Sequence, residues 1–129
     1  MIVEIAWLFI ILLFPSWHVA QPAGYDFLHA HISIAPDPAT GSIGGEVSYH
    51  FLNSGSADSL FLDAHNMEFS RVELDGKPVA FTATSGKLIL RAPGAAGKHE
   101  LFISYKAYPA QAVYFLGWKD SLQGNEQIW

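Results

Sequence analysis

The residues of this chain whose types could do chemistry are its histidines, six in all, three of which fall on two neighbouring alternating segments. In "LHAHISI", His29, His31 and Ser33 share one face of an extended strand, and in "EVSYHF" His50 shares a face with Glu46 and Ser48. If the segments pair antiparallel with Leu28 opposite Phe51, His29 lies opposite His50 and Glu46 lies opposite Ser33. Facing cross-strand positions stand about 4.5–5.5 Å apart at Cβ, near enough for two imidazoles to share a metal ion. A stable site needs a third ligand, for which Glu46 is the obvious acid. The competing reading is a solvated strand face whose polar positions are histidine. It is preferred, because strong zinc sites combine fixed spacing with hydrogen bonds that orient the ligands.

"HELFI" at 99–103 opens like the zinc-binding pattern His-Glu-x-x-His, but position 103 is Ile. That pattern needs both rings on one face of a helix, and this segment alternates as a strand. No Gly-x-Ser-x-Gly, phosphate loop or dinucleotide fingerprint occurs. With no cysteine, thiolate catalysis, disulfides and cysteine-ligated metals are excluded. No catalytic, cofactor-binding, substrate-binding or metal-ligating residue is therefore assigned to this chain.

The elements that would position these residues are strands. From Tyr25 onward the apolar period is two, with Leu28, Ala30, Ile32 and Ile34 on one face and Val47, Tyr49 and Phe51 on one face of the next segment. The parity sets Ala30 against Tyr49 and Ile32 against Val47, because a slip of one residue would scatter the apolar set over both faces. The expectation is an antiparallel pair with a dry face and a wet face. Further strands are expected at "SLFLDA" (59–64), "MEFSRVEL" (67–74), "PVAFTA", "KLILR" and "HELFISYKA", the last with Leu101, Ile103 and Tyr105 on one face. Met67 and Phe69 are out of phase with Val72 and Leu74, which predicts a bulge near Ser70. Asp75-Gly76 is a two-residue turn signal. No stretch after residue 24 keeps a helical period for three turns. The fold class is all-β, an antiparallel β-sandwich or saddle-like two-layer sheet.

At 129 residues, half of them hydrophobic, the chain suits one domain with a real core. Twelve acidic against seven basic residues argue against a nucleic-acid partner, which needs clustered Lys and Arg. The run Ile5–Phe14, "IAWLFIILLF", is ten apolar residues, against roughly twenty for a bilayer span, so no stable membrane span is expected. Its length suits a signal peptide over residues 1–20, with cleavage after Ala20 or after Ala23, although Glu4 stands where a basic residue is usual. The expectation is an exported protein (periplasmic, secreted or on the outer surface) whose domain runs over residues 24–129.

Residues 108–122, "YPAQAVYFLGWKDSL", break the alternation and hold an apolar group around Val113, Phe115 and Trp118. It is either a last core strand or a docking surface for something outside the chain. The closing "QGNEQIW" reads as a turn followed by Ile128 and Trp129, the opening of a further buried strand.

Taken together, these pieces resemble the amino-terminal domain of the M1 zinc aminopeptidases, the family of aminopeptidase N. "YDFLHAHISIAPDPATGSIGGEVSYHF" is similar to that domain's first two strands, "FLDAHNMEFSRVELDGKPV" to its central hairpin, and "HELFISYKA", "AVYFLGW" and "NEQIW" to its end. The likeness spans Tyr25 to Trp129. It implies a zinc held by His-Glu-x-x-His and a downstream Glu, and a Gly-x-Met-Glu-Asn loop that binds the substrate's amine. Neither motif is in these residues, and "HNMEF" at 65–69 lacks the Gly and the Asn. The family's amine-binding Gln or Glu comes just after the segment matched by Gln127, Ile128 and Trp129. The resemblance thus implies a non-catalytic domain severed before a zinc-bearing catalytic domain, its expected partner, with Val113, Phe115 and Trp118 at the docking surface. The parent would remove amino-terminal residues from peptides, and this domain would border the cleft. The alternative is a free-standing exported β-sandwich that binds a glycan or a protein.

Overall fold

The computed structural model describes residues 24–91, 94–110, 113–118 and 127–128. The expected signal peptide, and Trp129, lie outside the described residues. Ten strands and no helix are present among the described residues: β1 Tyr25–Asp37, β2 Ser42–Asn53, β3 Ser59–Asp63, β4 Met67–Leu74, β5 Lys77–Pro78, β6 Phe81–Ala83, β7 Lys87–Arg91, β8 Gly97–Ala107, β9 Phe115–Leu116 and β10 Gln127–Ile128. All pairings are antiparallel. A five-stranded sheet has the order β1-β2-β8-β4-β5, and a three-stranded sheet has the order β3-β7-β6. The fold is all-β, two layers deep.

Each turn has a local cause. Asp37 closes the β1–β2 connection: one carboxylate oxygen accepts the Ala39 N–H at 3.1 Å and the other accepts the Thr40 hydroxyl at 2.7 Å. These bonds, the Thr40 hydroxyl first, hold the Asp37 carboxyl below its ordinary range. Asp75 and Gly76 both have positive φ, 51° and 72°, the tight hairpin turn that matches strand twist. Ser70 is the extra residue of a bulge between Phe69 and Arg71, which brings both apolar halves of β4 onto one face.

The core forms where the three-stranded layer meets β2, β8 and β4. Phe51, Leu60, Leu88, Leu90 and Leu101 are fully enclosed, with Val47, Val72 and Ile103 nearly so. Period-two alternation puts Leu101 and Ile103 inward from β8, where they meet Tyr49 and Val47 on one side and Leu74 and Val72 on the other.

The β1–β2 register holds at Ala30↔Tyr49, Ile32↔Val47, His29↔His50 and Ser33↔Glu46. It departs from expectation at Leu28. A bulge between Phe27 and His29 makes Leu28 the extra residue, and Phe27 takes its place opposite Phe51. Phe27 thereby meets Tyr49 edge-to-face at 5.2 Å and Phe51 at a tilt at 5.8 Å, an aromatic contact that leucine cannot match. The dry face also fails to extend along β1. Ile32 is 59% exposed and Ile34 60% exposed, because the three-stranded layer covers β2, β8 and β4 and the start of β1, where Tyr25 is buried and Phe27 packs on the core, but not the rest of β1. "PVAFTA" divides into β5 and β6 in different sheets: the Val79 N–H still donates to the Val72 carbonyl at 3.1 Å, and from Phe81 the chain pairs with β7 instead.

Replacing the enclosed Leu101 by Ala is expected to cost about 2–5 kcal/mol in urea unfolding. Replacing the exposed Ile32 by Ala is expected to cost no more than about 0.5 kcal/mol. Equal costs at the two positions would mean that the second layer covers β1 as well.

Candidate functional site

Three features stand out from the packed core. The first is the uncovered part of the inner face. Ile32, Val47, Tyr49, Leu62, Met67 and Ile103 are among the residues lining an apolar pocket of about 110 Å³ at the open side of the sandwich. Beside it the Tyr105 ring lies over Gly45, where any Cβ would run into the ring. Only glycine at position 45 lets that aromatic side chain lie flat on the sheet. Burial, with the neighbouring Tyr105, pushes the Tyr49 phenol above its ordinary value, so it stays protonated.

The second feature is the segment after β8. Residues 115–116 pair with residues 127–128 instead of joining either main sheet, and the Trp118 indole N–H donates to the Gln127 carbonyl at 3.3 Å. This two-stranded ribbon is not a core strand. Tyr114 is 53% exposed, Leu116 50% and Trp118 43%, while Val113 and Phe115 are half-buried. Ile128, expected to open a buried strand, is exposed on the ribbon. Among the described residues the ribbon pairs over only two positions on each strand.

The third feature is polar. Across the outer face, His29, His50 and Glu100 form one row on β1, β2 and β8. The His29 and His50 rings stand 6.1 Å apart, and His50 Nε2 lies 3.8 Å from Glu100 Oε1. The acid beside His50 is thus Glu100; Glu46 sits opposite Ser33 and Ser104, and His31 opposite Ser48. Among the described residues no three His, Asp or Glu side chains are placed to hold a metal ion.

His99, one residue before Glu100 and on the opposite, inner face against Phe51, is different. Its side chain is only 12% exposed, and both ring nitrogens meet acceptors: Nδ1 faces Asp75 Oδ2 at 2.7 Å and Nε2 faces the Ala95 carbonyl at 2.8 Å. Two acceptors call for two ring N–H groups, which is the imidazolium. The Asp75 hydrogen bond, then the Ala95 bond, raises the His99 pKa. The Glu100 backbone N–H, donating to Asp75 Oδ1 at 2.9 Å, and then His99 lower that of Asp75. Asn53, 2% exposed, donates to the Gly94 and Ala95 carbonyls at 3.1 Å each and accepts the Gly55 N–H at 2.8 Å. Gly94 combines positive φ with a position where a Cβ would meet the His99 ring at 2.6 Å. The pattern of "HELFI" gives no sign of this clamp. Its one sequence signal is an acidic first turn residue, Asp75, which matters only once β4 is paired with β8.

No family model matches the sequence, and no curated protein does. Solved structures do. An M1 zinc metallopeptidase from Deinococcus radiodurans matches with a TM-score of 0.60 at 20% identity, over 68% of this chain and 21% of that one. Yeast LTA4 hydrolase matches with a TM-score of 0.61 at 16% identity, over 70% of this chain and 16% of that one. Legionella pneumophila aminopeptidase A, solved with aspartic acid, matches with a TM-score of 0.56 at 12% identity, over 67% and 11%. The fold is one carried by M1 zinc metallopeptidases. This chain spans about a fifth of the length of the Deinococcus enzyme that it resembles.

The clamp has a pH signature. His99's folded pKa is raised, so its stabilisation is fully present below the ordinary 6.5 and is lost as pH rises through the raised value. Asp75's is lowered, so its contribution is present above the ordinary 3.8 and is lost as pH falls through the lowered value. Between those limits both contribute. The stability gap between the native chain and His99→Gln is expected to be widest near about pH 5.5 and to narrow towards about pH 9. Urea unfolding at both pH values checks this, and a gap that widens with pH would contradict it.

Proposed function

We propose that this chain is the non-catalytic amino-terminal β domain of an exported M1-type zinc aminopeptidase. It braces a catalytic domain and forms one border of the cleft in which that domain removes amino-terminal residues from peptides. The observation that carries the reading is the pairing of high coverage with low: 68% of this chain is matched, yet only 21% of the matched enzyme. What remains of such an enzyme must include its chemistry, and the residues here do not fit that chemistry. His-Glu-x-x-His is absent from the sequence, and no three suitable donors converge among the described residues. The zinc therefore belongs to the catalytic domain.

The apolar ribbon supports the same reading. Tyr114, Leu116 and Trp118 are exposed on it, with Val113 and Phe115 at its base. Burying one large apolar side chain of this kind contributes about 1.5–3 kcal/mol. Three in one patch would hold a neighbouring domain firmly, and we assign the docking surface there. Export rests on the apolar run Ile5–Phe14 and the small residues Ala20 and Ala23.

Expression of the gene, read through beyond the codon for Trp129, tests the proposal. The expected frame continues into His-Glu-x-x-His with a further Glu, and the product is exported with its mature end near Gln21 or Gly24. That product should hydrolyse aminoacyl substrates until a chelator is added, whereas this chain alone should not. A stop codon directly after Trp129, with this chain a compact monomer, would overturn the reading and favour a free-standing binding module.

A further inference from the structure

We propose that β1 is a self-pairing edge, through which two copies of this chain join antiparallel over residues 29–35, with Ile32 on the two-fold axis. β1 ends the order of the five-stranded sheet and is the longest strand, at thirteen residues. Sheet edges are ordinarily guarded by shortness, lysine, proline or bulges. The opposite edge obeys this rule, since β5 has two residues, Lys77 and Pro78. So does β6 at the edge of the smaller sheet, with three. β1 carries two guards, the bulge at Leu28 and Pro36, and between them "HAHISIA" has no Lys, Arg, Pro or Gly. Its inward apolar positions are open as well, with Ile32 and Ile34 more than half exposed.

The choice of a second copy follows from the placement of those guards. The bulge at Leu28 lies four residues before Ile32, and Pro36 lies four after it. Antiparallel pairing centred on Ile32 therefore matches the whole unguarded stretch with itself and brings each bulge against the other copy's proline. Ile32 meets its own mate, Ala30 meets Ile34, His31 meets Ser33 and His29 meets Ala35. No like charges oppose one another, and parity keeps both apolar rows on the same side. The contact is isologous, and it closes. A strand from another protein would have to reproduce both stops to pair as fully.

The absence of cysteine makes the test clean. Residues paired across the two-fold lie within the span that a disulfide bridges. Under mild oxidation the full chain carrying Ile32→Cys should cross-link to a dimer. Phe61→Cys, on the outer face of the three-stranded sheet and 46% exposed, should not. In sedimentation velocity the unaltered chain should be a dimer, Ile32→Lys a monomer, and Trp118→Ser still a dimer. A monomeric unaltered chain, a dimer that survives Ile32→Lys, or equal cross-linking at both cysteines would overturn the proposal. The cysteine pair keeps the test readable should the lysine variant lose its fold.

Discussion

Everything in this structure hangs on β8, which is paired along most of its length with β2 on one side and β4 on the other. Its alternation fixes which residues of its neighbours turn inward. Leu101 and Ile103 draw Tyr49 and Val47 from one strand and Leu74 and Val72 from the other, and these form the floor on which Leu60, Leu88 and Leu90 pack. A shift of one residue on β8 would turn Leu101 and Ile103 to solvent and break the floor at its centre. The bulge at Ser70 serves that ladder, since without it Met67 and Phe69 would face away from Val72 and Leu74. The His99–Asp75 clamp fastens the same strand at its start, tying the turn after β4 to the loop before β8.

A five-stranded layer under a three-stranded one leaves apolar surface over. The excess falls at β1, whose inward isoleucines stay in water, and the ribbon of β9 and β10 adds a second apolar patch. The solved structures that share this fold are several times longer than the matched stretch, which makes up about a fifth of the Deinococcus enzyme.

Much of this was legible in the sequence, because antiparallel β structure writes its register in period two. The pairings of Ile32 with Val47 and His29 with His50, the bulge at Ser70 and the turn at Asp75-Gly76 all follow from local pattern. What could not be read depends on the second layer. Ile32 has the pattern of a buried residue, and only the width of the covering sheet exposes it. Leu28 and Phe27 are adjacent and both apolar, so the bulge was decided by aromatic packing against Tyr49 and Phe51. The acid beside His50 comes from β8, far along the chain, and so could not be chosen over Glu46 in advance. The His99 clamp is hidden for the same reason: Asp75 reaches it through the pairing of β4 with β8.

Amide hydrogen exchange measured residue by residue tests the central claim most directly, that β8 holds the fold while the ribbon stands outside it. The account predicts the slowest exchange at Val47–Phe51 and Leu101–Ile103, and near-unprotected exchange at Phe115–Leu116. Protection of the ribbon equal to that of β8 would contradict it, by showing that those residues belong to the core.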